Sequence, residues 1–299
     1  MARILLTGCQ GQVGQELQHL LPELGQVVAL SRSELDLSRP DRLSNQIMAL
    51  QPGWIVNAAA YTAVDQAETD IELATTINGV APQVIAEAAQ ALGATMVHLS
   101  TDYVFDGSKG SPYTEVDPAH PLSVYGRTKL MGEQGVREAC DRHLILRTAW
   151  VYGNQGKGNF VKTMLRLGAE REQLRVVTDQ IGSPTWARDL AAEIAHLLQI
   201  LSPSSPVARE SLYGTYHFTN SGVASWYDFA IAIFAEAQQL EIPLKVQEVI
   251  PIPTQDYPTP AHRPAYSVLN CGKITPLLGH HPPHWHHSLR QMLAFHFAQ

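Results

Sequence analysis

The sequence predicts an α/β protein built on a doubly wound parallel sheet, with a smaller, loop-rich domain at its C-terminal end. Three observations indicate this fold class. Short apolar runs alternate with helical patterns through the first half of the chain. A turn with spaced glycines follows the first run. Prolines recur from residue 243 to residue 264, too often for a long helix or a central strand.

The first half supplies the strands of the sheet and the helices that cover it. Strands are predicted at residues 4–7, 27–30, 54–57, 96–100 and 144–147, and helices at residues 12–21, 81–92 and 125–138. Strand runs of this length without alternation are typical of a parallel sheet that is buried on both faces.

After residue 150 the pattern changes. Glycines cluster from Gly153 to Gly158, and the sequence then predicts a helix at 160–168, a strand at 174–177, a helix at 187–201, an exposed loop at 202–206 and a strand at 216–219. The helix at 187–201 is apolar enough to pack back on the first half. We therefore expect one domain at 1–152, to which 186–219 returns, and a second at 153–185 and 220–299.

The composition excludes several classes of protein. The chain has 299 residues, of which 45% are hydrophobic and 16% charged, and a net charge of -7, as in ordinary globular proteins. An acidic balance without a basic run argues against a nucleic-acid partner. The three cysteines are widely separated, no apolar stretch approaches ~18 residues, and no signal peptide is evident, so we expect a cytoplasmic protein with no membrane partner.

A glycine-spaced turn joins the first predicted strand to the first helix, and it reads Thr7-Gly8-Cys9-Gln10-Gly11-Gln12-Val13-Gly14. Gly8 ends the strand, Gly11 lets the backbone approach a phosphate, and Gly14 lets the helix lie close to the sheet. The spacing alone is common in loops. Its position between a strand and a helix favours a Rossmann-like dinucleotide site, with the amides of the turn, including those at Gln12 and Val13, on the pyrophosphate.

The residues after the second strand determine whether a dinucleotide site prefers NADPH or NADH. An acid there bonds the ribose 2′-hydroxyl, whereas an arginine accommodates a 2′-phosphate. Ser31 and Arg32 stand at this position, which favours NADPH and leaves NADH as the second choice, a solvated arginine being the alternative interpretation. Asp36 and Leu37 flank the adenine, or Asp36 caps the helix that opens near Pro40.

Tyr125 and Lys129 are four residues apart on a predicted helix and therefore share one of its faces. An ammonium near a phenol stabilises the phenolate, so we expect Lys129 to lower the pKa of Tyr125 from ~10 toward the working pH. Tyr125 would then exchange a proton with a carbonyl or carbinol oxygen. The alternative is an exposed pair without function, which the glycine turn and four preceding strands make less favourable.

Thr101 stands at the carboxyl end of the fourth predicted strand, in the run Leu99-Ser100-Thr101-Asp102-Tyr103-Val104-Phe105. Open α/β sheets bind their ligands at that edge. The Thr101 hydroxyl can donate a hydrogen bond to a substrate oxygen, or it satisfies local backbone groups, as is usual at strand ends. Its combination with Tyr125 favours the first interpretation.

Over most of its length the chain resembles the extended short-chain dehydrogenase/reductase superfamily and, within it, the dTDP-4-dehydrorhamnose reductase family. The resemblance rests on the glycine turn, on Ser100-Thr101-Asp102-Tyr103-Val104-Phe105 and on Val124-Tyr125-Gly126-Arg127-Thr128-Lys129. It also rests on Val56-Asn57-Ala58-Ala59-Ala60-Tyr61-Thr62-Ala63-Val64-Asp65, on Arg147-Thr148-Ala149-Trp150-Val151-Tyr152 and on Tyr257-Pro258-Thr259-Pro260-Ala261-His262-Arg263-Pro264.

The resemblance implies a role for individual residues. Those expected along the cofactor are Ala60, Tyr61, Thr62 and Lys129, and those expected to face the sugar nucleotide are Thr101, Asp102, Tyr125, Lys129 and Trp150. Trp150 has core packing as its alternative role. Arg263 and the proline-rich loops of the second, substrate-binding domain are expected to hold the nucleotide diphosphate.

The implied reaction is the NADPH-dependent reduction of the C4 ketone of dTDP-4-dehydro-β-L-rhamnose to dTDP-L-rhamnose, the last step of dTDP-rhamnose synthesis. Asp102 is followed by Tyr103 and not by the glutamate that completes the acid/base pair of related dehydratases, so elimination is not expected. Two alternatives stay open: a reductase of another nucleotide-linked keto sugar, and an NADP-binding regulatory subunit without turnover.

Metal binding is not expected. Some relatives bind magnesium through several glutamates at a dimer contact; Glu16 matches one such position, but Arg188 replaces another. The histidine-rich tail from His280 to His287 has no accompanying carboxylate or cysteine pattern and is interpreted as surface. The sequence leaves the oligomeric state open, with a homodimer among the options.

Overall fold

The structure is a computed structural model that describes residues 2–202 and 212–297. The elements of the first half are β1 (Ala2–Thr7), α1 (Gln12–Leu20), β2 (Gly25–Leu30), α2 (Pro40–Leu50), β3 (Trp54–Asn57), α3 (Val64–Ala67), α4 (Ile71–Thr75), α5 (Ala81–Leu92), β4 (Thr95–Thr101), α6 (Val124–Ala139) and β5 (His143–Thr148). Those that follow are β6 (Val151–Tyr152), α7 (Phe160–Glu170), β7 (Gln173–Val177), β8 (Ile181–Gly182), β9 (Thr185–Trp186), α8 (Ala187–Ile200), β10 (Gly214–His217), β11 (Ala224–Ser225), α9 (Trp226–Gln239), β12 (Glu248–Ile252), α10 (Thr275–Leu278) and α11 (Trp285–Phe297). Of the loop predicted at 202–206, residues 203–206 lie outside the described ranges.

Six strands form one sheet in the order β10-β5-β4-β3-β1-β2. Every neighbouring pair in it is parallel. The chain moves from β1 to β2 on one side and then crosses to β3 on the other, so the winding direction reverses between β1 and β3. This confirms the predicted doubly wound parallel sheet, and the reversal marks the edge where such sheets bind ligands.

Helices cover both faces of the sheet. Leu6 belongs to the layer formed with α1 and α8, whereas its neighbour Leu5 belongs to the layer formed with α2, α5 and α6, and both side chains are fully buried. Successive side chains of a strand point to opposite faces, so a strand buried on both sides must be apolar at both positions. Burial on both faces therefore explains why apolar and polar residues do not alternate along the strands.

A separate hydrophobic cluster lies in the second half, where α7, α9 and α11 surround aromatic side chains such as Tyr152, Phe229 and Trp285. Its strands form only two-stranded pairs, and β12 in the proline-rich segment pairs with β7. Between these parts α8 packs on α1, and β10 joins the main sheet. The two-domain division stays a prediction, which this arrangement supports.

The described residues contain no helix that is both long and apolar enough to cross a membrane.

Candidate active site

A cleft of about 1080 Å³ opens at the carboxyl ends of β1, β3, β4 and β5, beside the point where the sheet reverses. The predicted site residues that line it are Gly8, Gly11, Gln12, Val13, Ser31, Arg32, Asp36, Leu37, Ala60, Tyr61, Thr62, Thr101, Asp102, Tyr125, Lys129 and Trp150. Gly14 and Arg263 are the two predicted site residues that do not. The cleft therefore joins the glycine turn to the tyrosine and lysine of α6.

The glycine turn can have its shape only because two of its positions lack a Cβ atom. Gly8 has a φ of 70°, in the left-handed region. A Cβ on Gly14 would lie 2.1 Å from the carbonyl oxygen of Gly8, so any side chain there would push α1 off the turn. The N-cap of α1 is Gly11, with no side-chain cap, which leaves the first turn of the helix free to bind an anion.

Ser31 and Arg32 follow β2 at the rim of the cleft. The amide and hydroxyl of Ser31 donate to the carboxylate of Glu34 at 2.9 and 2.7 Å, and these bonds lower the pKa of Glu34. The guanidinium of Arg32 lies 3.7 Å from the carboxylate of Asp36, with 72% of its side chain exposed. The exposed cation of Arg32 thus lies at the rim of the cleft beside Asp36. Glu34, which binds Ser31, is an acid that the sequence analysis does not name.

Asp36 does not cap α2. Its Oδ1 accepts hydrogen bonds from the amide and hydroxyl of Ser38, at 3.0 and 2.8 Å. The N-cap of α2 is Arg39, without a side-chain hydrogen bond. The capping alternative is therefore wrong, because the carboxylate is bound within its own short turn, as is usual for Asp in loops. Asp36 and Leu37 both face the cleft.

The loop after β3 is held by a buried amide side chain, that of Asn78. Its Oδ1 accepts from the amide of Tyr61 at 2.8 Å, and its Nδ2 donates to the carbonyl of Tyr61 at 3.0 Å. Asn78 lies in a π-helical turn, Thr76–Val80, between α4 and α5. These two bonds hold the backbone of Tyr61, between Ala60 and Thr62, at the edge of the cleft, because a side-chain amide can donate to and accept from one residue's backbone.

Tyr125 lies in the first turn of α6, which begins where the Ser123 side chain accepts from the amide of Gly126 at 3.1 Å. Burial raises the pKa of Tyr125 to about 12, although the Thr101 hydroxyl, within hydrogen-bonding reach of the phenol, lowers it. The expectation that Lys129 lowers this pKa is wrong, because burial dominates and the ammonium is directed elsewhere. The phenol is therefore protonated at neutral pH.

Lys129 is 2% exposed, and its Nζ donates to the carbonyl of Leu99 at 2.6 Å. Burial lowers its pKa to about 8, and the carboxylate of Glu133 one turn further along α6 opposes this shift. Glu133 is itself bound by Arg147, at 2.7 Å, and by the hydroxyl of Ser100, at 2.6 Å. These bonds connect α6 to β5 and β4 immediately behind the cleft.

Asp102 is a second buried ionisable group in the cleft, with 2% of its surface exposed. Its Oδ1 accepts from the hydroxyl of Thr101 at 3.0 Å, and its Oδ2 has no hydrogen-bond partner of standard geometry among the described residues. Burial raises the pKa of Asp102 to about 6, against the smaller lowering effects of Ser267 and Thr101. The Asp102 carboxyl therefore takes up a proton at a higher pH than an ordinary aspartate does.

Comparison with known proteins decides the family. The family model described as RmlD substrate binding domain matches residues 2–296. The chain belongs to the RmlD substrate binding domain family. It is 47% identical over 289 residues to a dTDP-4-dehydrorhamnose reductase of Burkholderia thailandensis, with 96% of each chain covered. With that of Escherichia coli K12 it shares 44% identity over 294 residues, covering 97% of this chain and 96% of the other.

A solved member of the group has the same fold. The crystal structure of dTDP-4-dehydrorhamnose reductase from Bacillus anthracis in complex with NADP superimposes with a TM-score of 0.89 at 38% identity, covering 98% of this chain and 99% of that one. The resemblance read from the sequence motifs is thereby confirmed.

Arg263 is bound to another side chain of the protein, whereas the sequence suggested that it holds the nucleotide diphosphate. Its guanidinium binds the carboxylate of Asp65 at 3.0 and 2.7 Å, and it also donates to the carbonyl of Ala261. It lies outside the cleft lining. An ion pair between α3 and the proline-rich segment accounts for its burial, so the structure does not direct Arg263 at a diphosphate.

Sequence reasoning also missed part of the cleft. Gly156, Lys157 and Gly158 line it from the loop after β6. The cluster of glycines there was a usable signal, because glycine-rich loops let the backbone approach a ligand closely.

Among the described residues, no three or more His, Cys, Asp or Glu side chains come together in a group that could hold a metal ion. Glu16 faces Arg188, whose charge lowers the pKa of Glu16 while burial raises it more.

Proposed function

We propose that this chain reduces the C4 ketone of dTDP-4-dehydro-β-L-rhamnose to dTDP-L-rhamnose with NADPH, as the last step of dTDP-rhamnose synthesis. The supporting observation is that one cleft contains both the glycine turn of a dinucleotide site and the side chains of Thr101, Tyr125 and Lys129. The relatives compared above are named as reductases of this substrate, and one was solved with NADP.

The cleft fits a dinucleotide. Gly8 and Gly14 leave space that a Cβ would fill, and the amides at the N-terminus of α1 would hold the pyrophosphate. Ser31 and Arg32 would hold the adenosine end, and Ala60 to Thr62 would flank the path to the ring. When bound, the reduced nicotinamide supplies a hydride to the substrate carbon.

Side chains of the cleft would supply the proton that the carbonyl oxygen takes up on reduction. Tyr125 keeps its proton at neutral pH because its pKa is about 12, and a developing alkoxide is basic enough to take it. The Thr101 hydroxyl, which donates its single proton to Asp102 at 3.0 Å, would rotate to donate to the same oxygen and hold the ketone in line with the phenol. Lys129, cationic below about pH 8, would bind the ribose hydroxyls of the cofactor.

The complete set of Thr101, Tyr125 and Lys129 argues against a regulatory subunit without turnover, because such a protein has no need of a proton donor. The choice of sugar is tested by following NADPH absorbance with a panel of nucleotide-linked 4-keto sugars. We expect the fastest turnover with dTDP-4-dehydro-β-L-rhamnose, and faster turnover of another sugar would reassign the substrate.

Tyr125→Phe tests the role of the phenol. The variant should bind NADPH as the native enzyme does but lose turnover by roughly 100-fold or more, the usual contribution of a general acid. Tyr213→Phe, which removes a phenol hydroxyl outside the cleft lining, is a matched control that should keep full activity. Undiminished turnover in Tyr125→Phe would refute the assignment.

We further propose that the enzyme acts in the cytoplasm. All three cysteines are described, and Cys9, Cys140 and Cys271 are free thiols, as suits a reducing compartment. A homodimer stays a prediction, which sedimentation of the purified chain would test.

A further inference from the structure

Trp150 is held in an unusual backbone conformation. Three non-glycine residues of the described chain have a positive φ: Gln51, Trp150 and Glu241. Gln51 and Glu241 follow the ends of α2 and α9, where such a conformation is common. Trp150 instead lies between β5 and β6 with a φ of 49°, in the wall of the cleft. A bulky residue keeps such a conformation only where its surroundings enforce it.

Trp226 is the aromatic neighbour of this residue. The two indole rings stack with their centroids 3.5 Å apart and an angle of 4° between their planes. Trp226 does not line the cleft. Its Nε1 donates to the side chain of Gln180 at 3.2 Å. The centroid of the Phe160 ring lies 4.6 Å from the centroid of the Trp226 ring. Gln180 and Phe160 thus hold the indole of Trp226 in addition to its stacking on Trp150.

The backbone that carries Trp226 is equally restrained. It is the first residue of α9 and lies within a capping box. In this box the Ser225 hydroxyl accepts from the amide of Asp228 at 3.0 Å, and the Asp228 carboxylate accepts from the amide of Ser225 at 2.9 Å. In addition, β11 pairs with β8, so that Ala224 lies opposite Gly182.

Gly182 completes the site. A Cβ at this position would lie 2.5 Å from Cε2 of Trp150, a distance that real structures do not tolerate. The indole of Trp150 therefore fits against the Cα of Gly182 and the ring of Trp226, both of which belong to the second half of the chain. We propose that Trp226 is a positioning residue: it holds the indole of Trp150 in the cleft wall, so that this ring orients the sugar nucleotide beside Tyr125. The proposal rests on the function proposed above.

Its test compares Trp226→Leu with Trp226→Phe in the full-length enzyme. Leucine removes the stacking, whereas phenylalanine keeps a ring against Trp150. Because an aromatic pair contributes an amount that corresponds to a roughly two- to tenfold change in binding, we expect Trp226→Leu to raise the KM for the sugar nucleotide by that factor. The KM for NADPH should stay within about twofold, and Trp226→Phe should behave like the native enzyme.

Two further measurements distinguish positioning from a general structural effect. Stacked indoles give an exciton couplet in the circular dichroism spectrum, which both Trp226 variants should lose. Tyr227→Leu, a change at the next residue of α9, is the matched control and should keep both the couplet and the KM. If Trp226→Leu fails to fold, Gly182→Ala pushes on Trp150 with Trp226 intact and should raise the same KM.

A native enzyme without the couplet would overturn the proposal, and so would Trp226→Leu with an unchanged KM for the sugar nucleotide. An equal rise in the KM for NADPH would also overturn it, because the effect would then not be directed at the sugar site. The proposed function fails in a different way, namely when the native enzyme reduces no nucleotide-linked 4-keto sugar at all.

Discussion

Replacing Glu133 by Ala should destabilise the fold strongly. The Glu133 carboxylate has no exposed surface. It accepts hydrogen bonds from Nε and Nη2 of Arg147, at 2.8 and 2.7 Å, from Nη1 of Arg137 at 3.1 Å and from the hydroxyl of Ser100 at 2.6 Å. The substitution leaves the guanidinium of Arg147, only 5% exposed, without its counter-charge.

The size of the effect follows from that burial. Breaking a buried ion pair by removing one partner costs about 3–5 kcal/mol, because the remaining charge stays desolvated. For a protein of this size, each kcal/mol lowers the melting temperature by about 2–4 °C, so we expect a fall on the order of 10 °C. Urea unfolding of the ligand-free chain, followed by circular dichroism, would give the free energy directly.

Two variants serve as controls. Glu170→Ala removes another glutamate that pairs with an arginine four residues away on a helix, but the pair of Arg166 and Glu170 is 61% and 53% exposed. Its loss should cost less than about 1 kcal/mol. In the double variant Glu133→Ala/Arg147→Met the buried charge is gone, and stability should partly return.

The reasoning would be refuted by a Glu133→Ala variant within about 1 kcal/mol of the native protein. A double variant less stable than Glu133→Ala alone would also contradict it, since the cost would then not come from the uncompensated charge of Arg147.

Three further predictions concern the cleft. Gly14→Ala should cost about 1–3 kcal/mol of stability and weaken NADPH binding, because the new Cβ would lie 2.1 Å from the Gly8 carbonyl oxygen, whereas Gly110→Ala, with no atom within 4 Å, should do neither in thermal melts and fluorescence titrations. Asp102→Asn should stabilise the protein increasingly as the pH rises. The native carboxyl, whose pKa is raised from 3.8 to about 6, resists ionisation on folding, so its cost is absent below about pH 4 and complete above about pH 6. Arg32→Ala should raise the Kd of NADPH more than that of NADH, as measured by titration.

Each of these has a clear contrary result. Equal effects of Gly14→Ala and Gly110→Ala would mean that the close approach to the turn is not needed. A pH-independent difference between Asp102→Asn and the native chain would place the pKa of Asp102 at its ordinary value. Equal loss of affinity for both cofactors in Arg32→Ala would remove the argument for a 2′-phosphate.

The parts of the molecule that sequence could predict are those with local signals. Strands such as β3 were readable because their apolar runs are short and continuous. The glycine turn and the Tyr125 and Lys129 spacing were readable because each lies within one turn or one helix. Such features depend on neighbours a few residues away, so tertiary packing does not need to be known.

The parts that sequence could not predict depend on residues distant along the chain. Arg263 was assigned to a ligand because nothing local reveals that Asp65, 198 residues away, takes its charge. For Lys129, the four-residue spacing from Tyr125 predicts which face of the helix it shares. The spacing does not reveal its hydrogen-bond partner, the carbonyl of Leu99. The role of Asn78 is hidden in the same way, since a polar residue within an irregular helical turn has no pattern of its own.

The return of α8 and β10 to the first layer has a consequence for synthesis on the ribosome. The sheet formed by β1 to β5 has one face that only α1 covers until α8 has emerged, and its outer edge at β5 stays unpaired until β10 arrives. A nascent chain that ends near residue 152 therefore displays apolar surface and an open strand edge, which are the features that chaperones bind and that drive aggregation. A stop codon placed there should give inclusion bodies, whereas one placed just after α10 leaves the sheet complete.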